Sequence, residues 1–443
     1  MTQARLQRIL TLALPIIGGM VSQNILNIVD TAMVSRLSNS DAALAAVGLG
    51  GFALYMGQAL ILGISTGVQS SASRRKGEGR LSESAFFLNG GLFLVAVAAP
   101  ILSLVLFFSV PLVYPYLNGD ANVIELGVPY LEIRLIGTIF IGMNYAFRGY
   151  WNAIDMPHLY MSTLVVMHAA NIFLNWVLIF GNLGAPAMGV EGAAWASVIS
   201  IGIGTTIYFF LGFRHAVING FMGGLPKQEE LMTLIRLSIP NGLQQLFFSA
   251  GFVATFWIIG QVGTVELAAA NVLINLTLVA ILPGLGLGLA AATLVGQALG
   301  KKDIDDAQAW GWDVTKVAIV VMGVLGLPAV FFPEWLLTTV FKLTPETLAA
   351  ALWPLRIVGM TMVFEALGMV LMNSMLGAGD TQRVMYIATG LQWLVFLPAA
   401  YLVGPVLGYG LLAIWLLQGT YRGLQAIVFT WFWQRKAWAK ITI

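Results

Sequence analysis

Twelve times in 443 residues the chain runs apolar for a distance that would carry a helix across a lipid bilayer. About 20 mostly apolar residues span the hydrocarbon core, where every backbone N–H and C=O must find its partner inside the protein. So many runs leave one solution, a bundle of transmembrane helices, and the predicted fold class is all-α integral membrane. Composition agrees: 58% of residues are hydrophobic and 9% charged, against about 25% charged in a soluble domain. The spans are expected at 8–35, 45–70, 86–113, 124–148, 158–181, 189–213, 232–262, 266–296, 313–338, 349–376, 384–404 and 408–433. Several exceed the minimum length, which predicts tilt or extension beyond the bilayer. The opening stretch MTQARLQRILTLALP shows no small-residue cleavage site and reads as an uncleaved first helix.

Basic residues orient the bundle. With twelve spans, both termini and the even-to-odd loops share one side. That side collects Arg5, Arg8, Arg74, Arg75, Lys76, Arg80, Arg148, Arg214, Lys227, Arg236, Lys301, Lys302, Arg383, Arg435, Lys436 and Lys440, while the opposite loops hold Arg36 and Lys342. The positive-inside rule then predicts that both termini are cytoplasmic. Absence of cysteine excludes disulfides, thiolate metal sites and a cysteine nucleophile. No phosphate-binding glycine loop, zinc-ligand cluster or nucleophile elbow occurs, so ATP hydrolysis and the commoner hydrolytic chemistries are excluded and no cofactor is expected.

An internal repeat divides the chain. LALP at 12–15 matches LSIP at 237–240, and NAIDMP at 152–157 matches GAGDTQ at 377–382, both at a shift of 225 residues. Between them DAALAAVGL resembles VELAAANVL, and YLEIRLIG echoes PLRIVG. The reading is two six-helix lobes, 1–213 and 231–443, joined by a polar linker at 214–230. Six crossings return the chain to its starting side, so the repeat is parallel, with a pseudo-two-fold axis along the membrane normal. Two lobes of this kind suit alternating access.

Polar residues inside the spans locate the chemistry, because a carboxylate in lipid needs a partner or a task. Gln23, Asn27 and Asp30 fall at i, i+4 and i+7 on one face of the first helix. Asp30 lies six residues from Arg36, about 9 Å along the axis, which puts it in the outer half of the bilayer. His168, Asn171 and Asn175 share one face of the fifth helix, and Ser197 lies a turn inside the sixth. Asp30, Asn171, Asn175 and Ser197 are therefore the candidate cation- or proton-binding set. They are an oxygen-rich group able to hold Na+ at Asp30, or a proton, with a static polar knot between helices as the structural alternative. The second half does not repeat this group: positions 255, 396 and 400 are Thr255, Phe396 and Ala400. Instead Glu365 lies mid-membrane in the tenth helix, with Met362, Met369 and Met372 at −3, +4 and +7. An acid bordered by flexible thioethers suits an amphipathic organic cation, so these four join Gln23 and Asn27 as candidate substrate residues. Core packing around a neutral glutamic acid is the alternative.

Asp30 in NIVDTAMVSRL, the duplicated LALP and LSIP starts, NIFLNWVLIFG, GVEGAAWA and GAGDT together resemble the multidrug and toxin extrusion (MATE) family over essentially the whole chain. The resemblance implies a monomeric secondary antiporter that exports organic cations and drugs in exchange for H+ or Na+, with membrane lipid around it and no nucleic-acid partner. By position, Asp30 matches the family's first-helix carboxylate, Asn171 and Asn175 its fifth-helix polar pair, Ser197 its sixth-helix hydroxyl, and Glu365 the tenth-helix acid of the NorM-type branch. Two departures stand out. QQLFFSAG lacks the NorM-type seventh-helix glutamate, and LPGLGLG lacks the DinF-type eighth-helix acid. A flippase for lipid-linked precursors shares the two-lobe layout but would want a cationic cavity for phosphate. A membrane enzyme lacks a catalytic constellation here, and a passive channel would show repeated pore rings.

Overall fold

The structure is a computed structural model and describes residues 1–443. It contains helices and no strand. The helices follow the expected spans: Gln3–Val34, Ser40–Gly77, Ser84–Leu117, the pair Ala121–Ile136 and Thr138–Ala153, Pro157–Phe180, Gly189–His215, Gln228–Val262, the pair Thr264–Ala280 and Leu282–Gly300, Ile304–Phe331, Pro345–Gly377, a run opening at Thr381, and Gly410–Gln434. Ten helical segments are each long and apolar enough to cross a membrane, and the fourth-span pair, bent by 49°, makes an eleventh. The twelfth, Gly410–Gln434, has the length at 25 residues but carries Gln418, Arg422 and Gln425 within it. Local chemistry starts several helices. Pro157 and Pro345 take first-turn positions, where a missing N–H costs nothing. The Asp120 carboxylate accepts from the Asn122 N–H at 2.8 Å.

Contacts gather the chain into two compact units, Gly18–Gly242 and Met1–Ile17 with Leu243–Ile443. This differs from the division expected at 1–213 and 231–443. The leading helix of each half changes allegiance partway along, at 17–18 and at 242–243. Both handovers come just after a helix-internal proline, Pro15 and Pro240, the prolines of the repeated LALP and LSIP. A proline inside a helix removes one backbone hydrogen bond and favours a bend there.

Within the 18–242 unit, the start of the seventh helix lies backbone to backbone on the second. A Cβ on Gly63 would come 2.2 Å from the Ser238 carbonyl oxygen, and one on Gly242 would come 2.7 Å from that of Leu60. Only glycine permits that approach. The core of this unit is aromatic, with Phe147 stacked on Trp151 (6.3 Å) and on Tyr208 (5.5 Å). The segment between halves is pinned to it. The Asn89 amide donates to the carbonyls of Gly220 (2.9 Å) and Gly224 (2.6 Å), and its oxygen accepts from the Met222 N–H at 3.0 Å.

In the other unit the first turns of the chain are equally fixed. Arg5 pairs with Asp306 and Asp313, both at 2.6 Å, and lies over the Trp310 ring at 3.7 Å. Trp433 and Trp438 stack at 4.1 Å in its core, fully buried.

Candidate functional site

The 18–242 unit brings together the four residues singled out for ion binding. The Asn175 amide donates to Asp30 Oδ1 at 2.6 Å and to Asn171 Oδ1 at 2.9 Å. The Asn171 amide in turn donates to the hydroxyls of Ser200 (3.1 Å) and Ser197 (3.4 Å). Asn171, Asn175, Ser197 and Ser200 are all buried, Asn175 completely. The result is one chain of hydrogen bonds from a carboxylate to two hydroxyls across the first, fifth and sixth helices. Ser200 was not singled out from sequence. Its signal was the spacing Ser197-x-x-Ser200, which puts both hydroxyls on one helix face.

A second contact fixes the same helix pair. His168 Nδ1 meets the Ser22 hydroxyl at 2.6 Å, and His168 Nε2 meets Gln23 Oε1 at 3.1 Å. Gln23 spends its amide N–H on Asn27 Oδ1 at 3.3 Å. The atom that meets the ring is Gln23 Oε1, which can only accept, so Nε2 carries the proton and donates, and in the neutral ring Nδ1 accepts from Ser22. The contacts 23–168 and 30–175 are seven residues apart on each helix, about 10.5 Å along the axis. The first and fifth helices therefore run parallel in this region, as two odd-numbered spans must.

One atom in the network has nothing to bond. Asn175 Oδ1 is buried and has no hydrogen-bond partner, although buried carboxamide oxygens are nearly always satisfied. It sits on the amide that binds Asp30. A small hard cation prefers oxygen ligands, and a carboxylate with a neighbouring free carbonyl oxygen supplies them.

The second candidate group resolves differently. Glu365 is not a lone acid. Arg422 of the twelfth helix lies beside it, Nε to Oε2 at 3.0 Å, with the two side chains 16% and 10% exposed. The pair lines a cavity of about 90 Å³ inside the 243–443 unit, walled by Phe248, Phe252, Phe396, Trp415 and Tyr421. Met362 reaches this cavity. Met369 and Met372 do not: Met369 is buried beside Gly284 and Met322, and Met372 packs on the same core. The thioether frame expected around Glu365 is thus one methionine and several aromatic rings. Sequence reading passed over Arg422, whose signal was an arginine inside a span, always a residue in need of a partner.

The repeat, the helix order and the site can be compared with known proteins. A family model described as MatE matches residues 15–177 and matches again at 240–402, so the two matches begin 225 residues apart. The chain belongs to the MatE family. The offset equals the shift between LALP and LSIP. Relatives of this MatE protein include a probable multidrug resistance protein NorM of Thermotoga maritima, 25% identical over 414 residues that cover 93% of this chain and 88% of the relative. A second probable NorM, from Agrobacterium fabrum, is 27% identical over 418 residues, covering 92% and 88%. In three dimensions the chain resembles an outward-facing multidrug resistance MATE family transporter of the MOP superfamily, with a TM-score of 0.89, 22% identity and coverage of 98% and 96%. The protein is accordingly a multi-span membrane transporter of the multidrug resistance type, and its relatives are transporters rather than enzymes.

Proposed function

We propose that the protein is a secondary active antiporter of the bacterial inner membrane, with both termini cytoplasmic, that exports amphipathic organic cations in exchange for H+ or Na+ by alternating access. The observation that carries this reading is the Asp30–Asn175–Asn171–Ser197/Ser200 network with its one unsatisfied oxygen. A carboxylate with a neutral carboxamide beside it can exist in two states. In one it is charged and holds a cation shared with Asn175 Oδ1. In the other it is protonated, with the amide still bonded to it. Switching between such states is what coupling to an ion gradient requires. Gln23 and Asn27, exposed on the same helix face, would meet the organic cation, and Asp30 would be reached from outside by the coupling ion.

The alternative of a lipid-precursor flippase lacks support at the deep charges. Arg422 is spent on Glu365, so the pair offers a phosphate no net positive charge. Transport in proteoliposomes tests the reading. Ethidium movement driven by an imposed Na+ or pH gradient is expected, and the ion that drives it is the coupling ion. Ethidium that moves with neither gradient contradicts the antiporter.

A further inference from the structure

The segment between the halves is less polar than a soluble connector. From Ala216 to Pro226 it carries no charge, and Val217, Ile218, Met222 and Leu225 are between 53% and 84% exposed. An apolar strip of that kind is costly in water and favourable at a membrane interface. It is also fixed in place. Phe221 is buried against Phe209 and Phe213 of the sixth helix, at 6.1 and 5.3 Å, and Asn89 of the third helix bonds to Gly220, Met222 and Gly224. The segment lines a cavity of about 360 Å³ in the 18–242 unit, together with Phe93 and Ala96 of the third helix, Met143 of the fourth span and Phe209 of the sixth. The one polar side chain in its wall is Asn89, which spends both amide hydrogens and its oxygen on the segment's backbone. A ligand inside is offered no side-chain hydrogen bond, so the cavity suits hydrocarbon. At about 30 Å³ for a group the size of a water molecule, it holds on the order of ten methylenes.

Depth and charge say which hydrocarbon. Asn89 and Ala96 lie five and twelve residues into the helix that opens at Ser84, and Phe209 lies six residues before the close of the sixth helix at His215. These are distances of about 8–18 Å from the helix ends, the depth of the acyl chains in one leaflet of a core about 30 Å thick. With the orientation proposed above, that leaflet is the cytoplasmic one. Arg214 and Lys227 bracket the uncharged segment. Both are exposed, and neither side chain enters an ion pair or a hydrogen bond. Of the acids in this region, Glu83 is taken by Arg80 and Glu230 by Arg75, which leaves Glu229 against two free bases.

We propose that this cavity holds one acyl chain of an anionic phospholipid, whose phosphate is met by Arg214 and Lys227. A zwitterionic lipid could insert the same chain, but its head group carries its own cation and gains less from two free bases. An organic cation would meet two like charges at the rim. No bond is made or broken. The site shares no residue with the Asp30 network and goes beyond the efflux reading.

The test is photolabelling of the full-length protein in phosphatidylcholine nanodiscs that contain a trace of phosphatidylglycerol with a diazirine on its acyl chain. Labelled peptides are identified by mass spectrometry. Leu104 and Val105, exposed on the third helix outside the cavity, report ordinary contact with bulk lipid. Labelling around Phe93, Phe209 and Leu225 should saturate and be competed by unlabelled phosphatidylglycerol. A phosphatidylcholine probe with the same chain should label these positions several-fold less. Arg214→Gln and Lys227→Gln should each lower the phosphatidylglycerol signal about fivefold, the effect of one basic residue on an anionic lipid. Ala96→Trp fills the cavity from an exposed position and should remove the signal there for both probes, with labelling at Leu104 and Val105 unchanged. No gradient is imposed, so the antiport reading can fail without altering this result. Cavity labelling no stronger than at Leu104 and Val105, equal labelling by the two probes, or an undiminished signal in Ala96→Trp or in both rim variants overturns the proposal.

Discussion

Arg422→Gln should strand Glu365. The side chain of Glu365 is 10% exposed and has no second cation beside it. Removing one partner of a buried pair costs about 3–5 kcal/mol, because the survivor keeps its desolvation penalty and loses its compensation. The cavity on one side of the pair gives that survivor some access to water, so the lower figure, about 3 kcal/mol, applies here. Glu365→Gln strands Arg422 in the same way and should cost a similar amount, although Gln425 still accepts from its Nη1. The double variant Glu365→Gln with Arg422→Gln leaves no charge to strand and should cost less than either single change. Denaturant-titrated unfolding of the purified variants in mixed micelles measures all three. A double variant that loses the sum of the two single losses would show that the residues act independently, and the pairing argument would fail.

Further outcomes follow from the packing and the topology. Gly63→Val should abolish folded protein, measured by monodisperse yield, since even its Cβ would come 2.2 Å from the Ser238 carbonyl oxygen and backbone cannot step aside. Normal yield would place the seventh helix elsewhere. Arg5→Ala breaks pairs to Asp306 and Asp313 and lifts a guanidinium off Trp310, and should lower unfolding stability by about 1–3 kcal/mol; an unchanged midpoint contradicts the pairing. The chain has no cysteine, so single cysteines report topology directly. At Asn118 and Gly184 they should react with an impermeant reagent on intact cells, and at Gly77 only after permeabilisation. Labelling of Gly77 from outside would invert the proposed orientation.

Much of this arrangement was legible because it is periodic. Apolar runs of spanning length are a local property, and the helices fall where the runs do. The duplication is also local, since LALP and LSIP can be compared by eye, and the MatE matches beginning at 15 and 240 carry the same offset. Asp30, Asn171, Asn175 and Ser197 could be grouped because helical spacing puts each on a stripe, and lone polar stripes in apolar helices face one another. What could not be read depends on contacts across long stretches of chain. Nothing local reports that residues 1–17 pack with residues 243–443, although Pro15 and Pro240 mark the points of departure. Nor does helical spacing say which methionine reaches a cavity: Met362, Met369 and Met372 share a face with Glu365, yet only Met362 lines it. Arg422 is hidden in the average apolarity of the helix Gly410–Gln434, which a single buried charge hardly changes.

The central claim is that Asp30 carries the coupling ion, and Asp30→Asn tests it most directly. The substitution keeps the shape of the side chain and an oxygen able to accept from the Asn175 amide, while fixing the neutral state. The measurement is ethidium efflux from energised cells, and into proteoliposomes under an imposed gradient, at membrane expression matched to the wild type. Gradient-driven efflux should be lost while the protein stays inserted and ethidium binding by the purified variant is retained. Efflux by Asp30→Asn at the wild-type rate, still responding to the gradient, would contradict the coupling role and leave the network as a structural tie between helices.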